Sequence, residues 1–448
     1  MRIAELARML AMRARVRRRS SWSRERVLEH QGRELARLLS FARERSAHYR
    51  RVLKPGAPLH EQPVLTKAVL LESYADIVTD PRLSLPELVA FVDRADGDEL
   101  FVGRYRVAAT SGSSGRRSTI ASDPTEWATV IASYARANEW AGIRISPRHR
   151  PRMAVVSSRA AFHQSNVVAR SIDSPLVKTL RLDAAESLSS ITRALDAFQP
   201  EVLVAYASML RILAAEQLEG RLHLAPRAVN CSSEVLTLHA RALAERAFGV
   251  RVFEVYAATE TAGIAAECSH HRGMHVFEDL LIAEPVDDAY RPVPDGVSAS
   301  RLLVTVLGSR TVPLIRYELT DRVTFAVDPC TCGLPFRLIA SVDGRSDDVL
   351  QLPGARGPTV RVHPVLFHRV LEPVPAQAWQ VRQEPAGLRV LLAQPAQALR
   401  DEELRALLEA ALDSAGVRPP PIEIEHVAAI PAGAAGKRPM VVAMRPGG

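Results

Sequence analysis

The spacing of apolar positions changes several times along the chain, and each change marks a different element. In the first fifty residues Leu28, Leu35, Leu38 and Ala42 recur near helical spacing behind Ser23, a capping residue, and predict a pair of amphipathic helices. Beyond residue 100, short apolar runs alternate with helical patterns. RMAVVSS at 152–158, EVLVAYAS at 201–208, AVNCSSE at 228–234 and RVFEVYAATE at 251–260 read as strands. Between them Asp123–Trp140 reads as a helix: Asp123 caps it, Pro124 takes the first turn and Glu126 completes a capping box, ahead of an apolar stripe of Trp127, Val130, Ile131 and Tyr134. Such alternation predicts an α/β core. From about 300 to 350 the runs RLLVTVL, LIRYELTDRVTFAV and DDVLQL crowd together and predict an antiparallel or barrel-like unit. The last hundred residues form a separate pattern, with WQVRQEP and LRVLLAQ as a hairpin, Asp401–Gly416 as a helix and IEIEHVAAI as a strand, a compact α+β unit. There is no internal repeat.

Composition narrows the class. With 448 residues, 47% of them hydrophobic, the chain has material for two or three domains and is neither disordered nor fibrous. No run approaches the roughly 18 apolar residues of a spanning helix, and charge interrupts the first twenty residues too often for a signal-peptide core, so the expected location is the cytoplasm. Charge is unevenly spread: residues 1–54 hold 16 Lys or Arg against five Glu, while the remainder is slightly acidic. This basic helical segment reads either as solvated arginine faces or as a surface for a polyanion, an anionic membrane or an acidic carrier protein. Lysine occurs only at 54, 67, 178 and 437, which singles out each one.

The first chemical signal is TSGSSGRRS at 110–118, after the strand-like LFVGRYRVAA. Glycines let a backbone approach a phosphate, and N–H groups and hydroxyls donate to it, so Thr110, Ser111, Gly112, Ser113, Ser114 and Gly115 suit a phosphate cradle. It is no Walker A loop, because Arg116 and Arg117 follow Gly115 where that motif has Lys-Ser/Thr. Downstream come YAATE (256–260), RYELTD (316–321), GRSDD (344–348) and GAAGKRP (433–439). Together, in this order, the five motifs resemble those of the adenylate-forming superfamily, and most closely its phenylacetate-CoA ligase branch, whose helical N-terminus also matches Gln31 to Arg50.

The resemblance implies an α/β fold: a large multi-subdomain N-terminal adenylation domain over 1–345 and a small mobile α+β lid over 346–448, hinged at Asp347. It implies ATP-dependent activation of a carboxylic acid as an acyl-AMP. In that reaction a carboxylate attacks an α-phosphate, so two anions must be held together by positioned cations and donors. Thr110 to Gly115 would hold the β- and γ-phosphates, and Ser233, Glu234 and Ala257 would border the nucleotide. Tyr256 would lie on adenine, Thr259 would bond the α-phosphate and Glu260 would hold Mg²⁺. Asp321 would accept from the ribose hydroxyls, Arg345 would reach ribose or phosphate, and Lys437 would bridge the two reacting anions. Tyr206, Ser208 and Ala257 are candidate acyl-pocket residues. Ala257 stands where the family usually has Gly, and Arg116 and Arg117 replace its Lys and Pro, departures that bear on the acid more than on the chemistry. The expected acid is aromatic or otherwise compact, and the expected acceptor is CoA. The alternatives are an amine, a carrier protein, or a non-catalytic protein of the same fold that binds nucleotide or polyanion. No nucleic-acid partner is expected, and a homodimer is possible.

Four cysteines are too few for a disulfide scaffold. Cys268, Cys330 and Cys332 cluster with His270, His271 and His275, a set from which a closed Cys3His structural zinc site can be drawn. The resemblance favours His275. Cys231 reads as a core residue.

Overall fold

The computed structural model describes residues 3–95, 99–110, 117–143, 149–159, 162–171, 177–345, 348–395, 400–432 and 437–444. A hairpin of β1 (Arg106–Ala109) and β2 (Thr119–Ser122) flanks the phosphate-loop motif. Then β3 (Arg152–Ser157), β4 (Lys178–Asp183), β5 (Val202–Ala205), β6 (Ala228–Ser232) and β7 (Val252–Ala258) run parallel in the order β4-β3-β5-β6-β7. Their apolar runs are buried between helices, with Leu195, Leu210, Leu213 and Ala244 packed against Val156, Leu203 and Val229. The predicted helix is present as Pro124–Trp140, its Asp123–Glu126 capping box intact.

β8 (Ala262–Glu267) and β9 (Met274–Val276) continue the sheet antiparallel. The crowded strands that follow, β10 (Leu281–Val286), β11 (Ser298–Ala299), β12 (Arg301–Val306), β13 (Tyr317–Leu319), β14 (Asp321–Phe325) and β15 (Leu338–Arg345), do not form one barrel-like unit. They are antiparallel as expected but divide. β10, β12 and β13 make a three-stranded sheet, whereas β15 pairs with β9, Leu338 opposite His275, and carries β14 and β11 onto a ten-stranded sheet. Which neighbour an antiparallel strand takes depends on contacts distant in sequence, and a local pattern does not hold that information.

In the C-terminal hundred residues β16 (Leu350–Pro353) pairs with β17 (Thr359–Val362). β18 (Ala376–Glu384) and β19 (Gly387–Pro395) form the predicted hairpin, flanked by β20 (Ile422–Val427) and the short β21 (Val441–Val442). The helix is Asp401–Ser414, two residues shorter than expected, and ends before Gly416 at φ 76°. One core cluster, with Phe367, Trp379, Val390 and Leu408 at its centre, draws only on this segment.

The basic N-terminus forms the helices Ile3–Arg19 and Arg24–Arg45. Part of its charge is turned inward: Arg13 pairs with Glu139 at 2.6 Å, Glu5 with Arg106 at 2.8 Å, and Arg19 joins the fully buried pair Arg136–Asp279, whose contacts are 2.6 and 2.8 Å. Arg8, Arg15, Arg17 and Arg18 stay exposed and make no ion pair among the described residues. No described helix is long and apolar enough to cross a membrane.

Candidate active site

The carboxyl ends of the parallel strands open on one side. Chain order reverses between β3 and β5, and a crevice outside strand ends at such a switch point is where open α/β sheets bind ligands. Thr110 stands at the end of β1. Its amide donates to Ser118 O (2.9 Å) and its hydroxyl accepts from Ser118 N (3.0 Å), which ties together the two ends of the candidate phosphate-binding segment. Ser111 to Gly115 lie outside the described residues.

Thr259 and Glu260 follow β7. Gln164 donates to Thr259 O at 3.2 Å and accepts from Tyr134 Oη at 3.1 Å, so the start of the helix Gln164–Ser171 props the motif. Tyr317 Oη donates to Glu260 Oε1 at 2.9 Å and fixes one oxygen of the carboxylate. Tyr256 faces Asp321; burial, then that carboxylate, pushes its phenol well above the usual range. Asp321 opens β14 directly opposite Arg345 in register, which brings two motifs 24 residues apart side by side. Asp347 lies outside the described residues.

Lys437 reaches the same place from the C-terminal segment. Its Nζ donates to Ser233 O at 3.1 Å and sits 5.7 Å from the centre of the Tyr206 ring. Ser233 has φ 71°, a left-handed conformation rare for a residue with a Cβ, which turns this carbonyl toward the lysine. Burial, then Arg345, lowers the Lys437 pKa against the pull of Glu234 and Asp321. Glu234 spends its oxygens on protein partners, accepting from Ser208 N (2.8 Å) at the start of the helix Ala207–Leu218 and from Arg438 N (3.2 Å). Tyr206 Oη accepts from Ser158 N at 2.9 Å. Lys437, Ser233, Glu234, Tyr206 and Ser208 therefore meet as one group, which neighbours Asp321 and Arg345, while Glu260 lies with Tyr317 and Tyr256.

Sequence reasoning missed four residues. Tyr317 lies inside the quoted RYELTD motif but had no assigned role. Arg438 likewise lies inside the quoted GAAGKRP motif without an assigned role and donates to Ile430 O and Ala184 O, both at 3.1 Å, whereas Gln164 and His163 carried no local signal, and His163 is buried with Nε2 lacking a partner among the described residues. Burial, then Lys437 and Arg117, depresses the His163 pKa to about 4.

Cys268, His275, Cys330 and Cys332 converge with their ligand atoms all within 4.8 Å of one another. Cys268 and Cys330 Sγ lie 3.8 Å apart, close to the roughly 3.8 Å edge of a tetrahedron with metal–sulfur bonds of about 2.3 Å. His275 Nδ1 donates to Phe336 O at 3.2 Å, which leaves the Nε2 lone pair facing Cys332 Sγ, also at 3.2 Å. His270 is engaged with Thr331 and His271 with Glu267, which separates the three histidines. Cys231 is buried in the sheet core.

These features define an α/β fold built on a ten-stranded mixed sheet. The chain shares it, at a TM-score of 0.75 and 20% identity over 96% of its length and 92% of the other, with a 2-hydroxyisobutyryl-CoA ligase in the postadenylation state in complex with R3-HIB-AMP. The same ligase in the thioesterification state, with 2-HIB-AMP and CoA, gives 0.62 at 20% identity, covering 95% of this chain and 92% of that one. In sequence the chain resembles phenylacetate-coenzyme A ligases: it is 30% identical to that of Thermus thermophilus over 211 residues, 44% of this chain and 46% of that protein. It is 29% identical to that of Pseudomonas putida over 166 residues, 35% and 36% of the two chains. The matches thus span less than half the length of these curated relatives. No family model matches the chain.

Proposed function

We propose that this protein activates a carboxylic acid with ATP as an acyl-AMP and transfers the acyl group to CoA. The observation that carries the reading is the arrival of Lys437 beside Ser233 O, within electrostatic reach of Asp321, Arg345 and Glu234, at the open ends of a doubly wound sheet. A carboxylate oxygen attacks the α-phosphorus, the bond to the β-phosphate oxygen breaks and pyrophosphate leaves. A CoA thiolate then attacks the acyl carbon and AMP departs with the carbonyl–oxygen bond's electron pair.

Each residue has a task in this reading. Thr110 and the loop after it receive the leaving phosphates, Asp321 accepts from the ribose, and Lys437 lowers the repulsion between the carboxylate and the α-phosphate. Glu260, steadied by Tyr317, offers a hard oxygen to Mg²⁺, which when bound supplies charge neutralisation at the phosphates. Residues 346–448 act as a lid that delivers Lys437 for the first step. The better superposition on the postadenylation state supports this arrangement. Cys268, His275, Cys330 and Cys332 hold a structural zinc ion, tying the loop after the Glu260 motif to the strands bearing Asp321 and Arg345.

The test is pyrophosphate release from purified protein with ATP, Mg²⁺ and a panel of aromatic and short aliphatic acids, followed by CoA addition to the active cases. Acid-dependent pyrophosphate and a thioester product are expected. Absence of both across the panel overturns the reading, and product formed only with an amine or a carrier protein reassigns the acceptor.

A further inference from the structure

The crevice contains polar atoms that the adenylation chemistry leaves unused. His163 is 8% exposed, its Nε2 is buried, and that nitrogen makes no hydrogen bond among the described residues. Ser208 Oγ is likewise buried and without a partner among the described residues. The two residues follow β3 and β5, the adjacent strands between which chain order reverses, so they border the crevice from opposite sides.

The His163 backbone is held in place from both flanks. Phe162 O accepts from Ala109 N (2.9 Å), one residue before Thr110, and the Gln164 side chain donates to Thr259 O (3.2 Å). The Phe162 ring meets the imidazole edge-on at 4.6 Å between centroids. The charged groups facing the imidazole are Lys437, Arg117 and Asp183. Ser208 shares Glu234 with Arg438, the residue next to Lys437. Both unpartnered atoms therefore sit near the lysine that would hold the substrate carboxylate.

A buried donor or acceptor without a partner costs free energy, and a purely apolar acyl group would leave both in that state. We infer that the acid this protein activates carries a hydroxyl group close to its carboxylate, and that His163 and Ser208 hydrogen-bond that hydroxyl. This rests on the acyl-activating reading. The imidazole is neutral at pH 7, which suits a hydroxyl. His163 is then a specificity residue of the acyl site and takes no proton from the reaction.

The experiment compares matched acids, mandelate with phenylacetate, salicylate with benzoate and lactate with propionate, by pyrophosphate release. It uses the wild type, His163→Phe, His163→Gln and Ser208→Ala. In at least one pair the wild type should favour the hydroxy acid by about 100-fold or more in kcat/KM, because a site built for a hydroxyl rejects the analogue lacking it. His163→Phe should shrink that ratio to below about 10-fold, Ser208→Ala should reduce it, and His163→Gln should retain most of it. Ser208→Ala guards against a folding defect, since its Oγ bonds nothing among the described residues and its backbone contact to Glu234 remains. A wild type that prefers the unsubstituted acids, or a ratio equal in all four proteins, overturns the inference while leaving acyl activation standing. If no acid in the panel gives pyrophosphate, the acyl-activating reading falls and this inference falls with it.

Discussion

Replacing Lys437 by alanine separates the proposed chemistry from the fold. Among the described residues the ammonium makes one hydrogen bond, to Ser233 O at 3.1 Å, and one ring contact, with Tyr206 at 5.7 Å. A partly buried cation over a ring is worth about 0.5–2 kcal/mol, so Lys437→Ala should unfold within a few degrees of the parent. Its neighbour Arg438 carries the structural contacts, to Ile430, Ala184 and Glu234. For adenylation the loss is far larger. A unit charge about 4 Å from a developing anion at an effective dielectric of about 20 contributes roughly 4 kcal/mol, which is about a thousandfold in rate. The assay is pyrophosphate release on the best acid, with a thermal melt of the same sample. A second arm supplies synthetic acyl-AMP and CoA, bypassing the step assigned to Lys437, and there the variant should retain at least a tenth of parental thioester formation. Adenylation within about fivefold of the parent, with an unchanged melt, refutes the role given to this lysine.

Further outcomes are expected. Because burial and Arg345 depress the Lys437 pKa and its charged form is the active one, kcat/KM for adenylation should fall on the alkaline side at a pH below the ordinary lysine value of 10.5; a limb at or above that value, or none, contradicts this. Tyr317→Phe removes the donor to Glu260, and a hydrogen bond to a charged group is worth about 1.5–3 kcal/mol, so kcat/KM for magnesium-ATP should drop roughly 10- to 150-fold; an unaltered magnesium titration speaks against the assignment. Elemental analysis of purified protein should find about one zinc per chain, and Cys332→Ser should lower it; full zinc in that variant removes Cys332 from the site. Asp279→Asn leaves Arg136 without its buried carboxylate and should cost about 3–5 kcal/mol, read by calorimetry; a melting temperature within a degree of the parent shows that the pair contributes little.

The elements that local patterning announced are present because their causes are local. The Asp123–Glu126 capping box, the apolar runs that became β3, β5, β6 and β7, and the β18–β19 hairpin each depend on residues a few positions apart. The order of the five motifs likewise pointed to one nucleotide site; in the structure Asp321 stands opposite Arg345, and Lys437 lies within electrostatic reach of both. In sequence the arginines of residues 1–54 read as solvated helix faces or as a surface for an anionic partner. Folding sorts them into inward residues that neutralise Glu139, Glu278 and Asp279 and outward ones such as Arg8 and Arg15, a division set by which helix face packs on the body.

What the amino-acid order determined alone was the class of elements, the chemistry of the motifs and the ligand types at the cysteine cluster, since propensity, capping and side-chain functional groups act over short distances. Tertiary structure alone decided that β15 joins β9, that Tyr317 rather than a nearer residue steadies Glu260, that the four ligand atoms of the cysteine cluster come within 4.8 Å of one another, and that His163 and Ser208 carry buried polar atoms without partners among the described residues. Each of those joins residues dozens of positions apart or sets two atoms' accessibility at once, and burial and long-range pairing exist only after the chain has closed on itself.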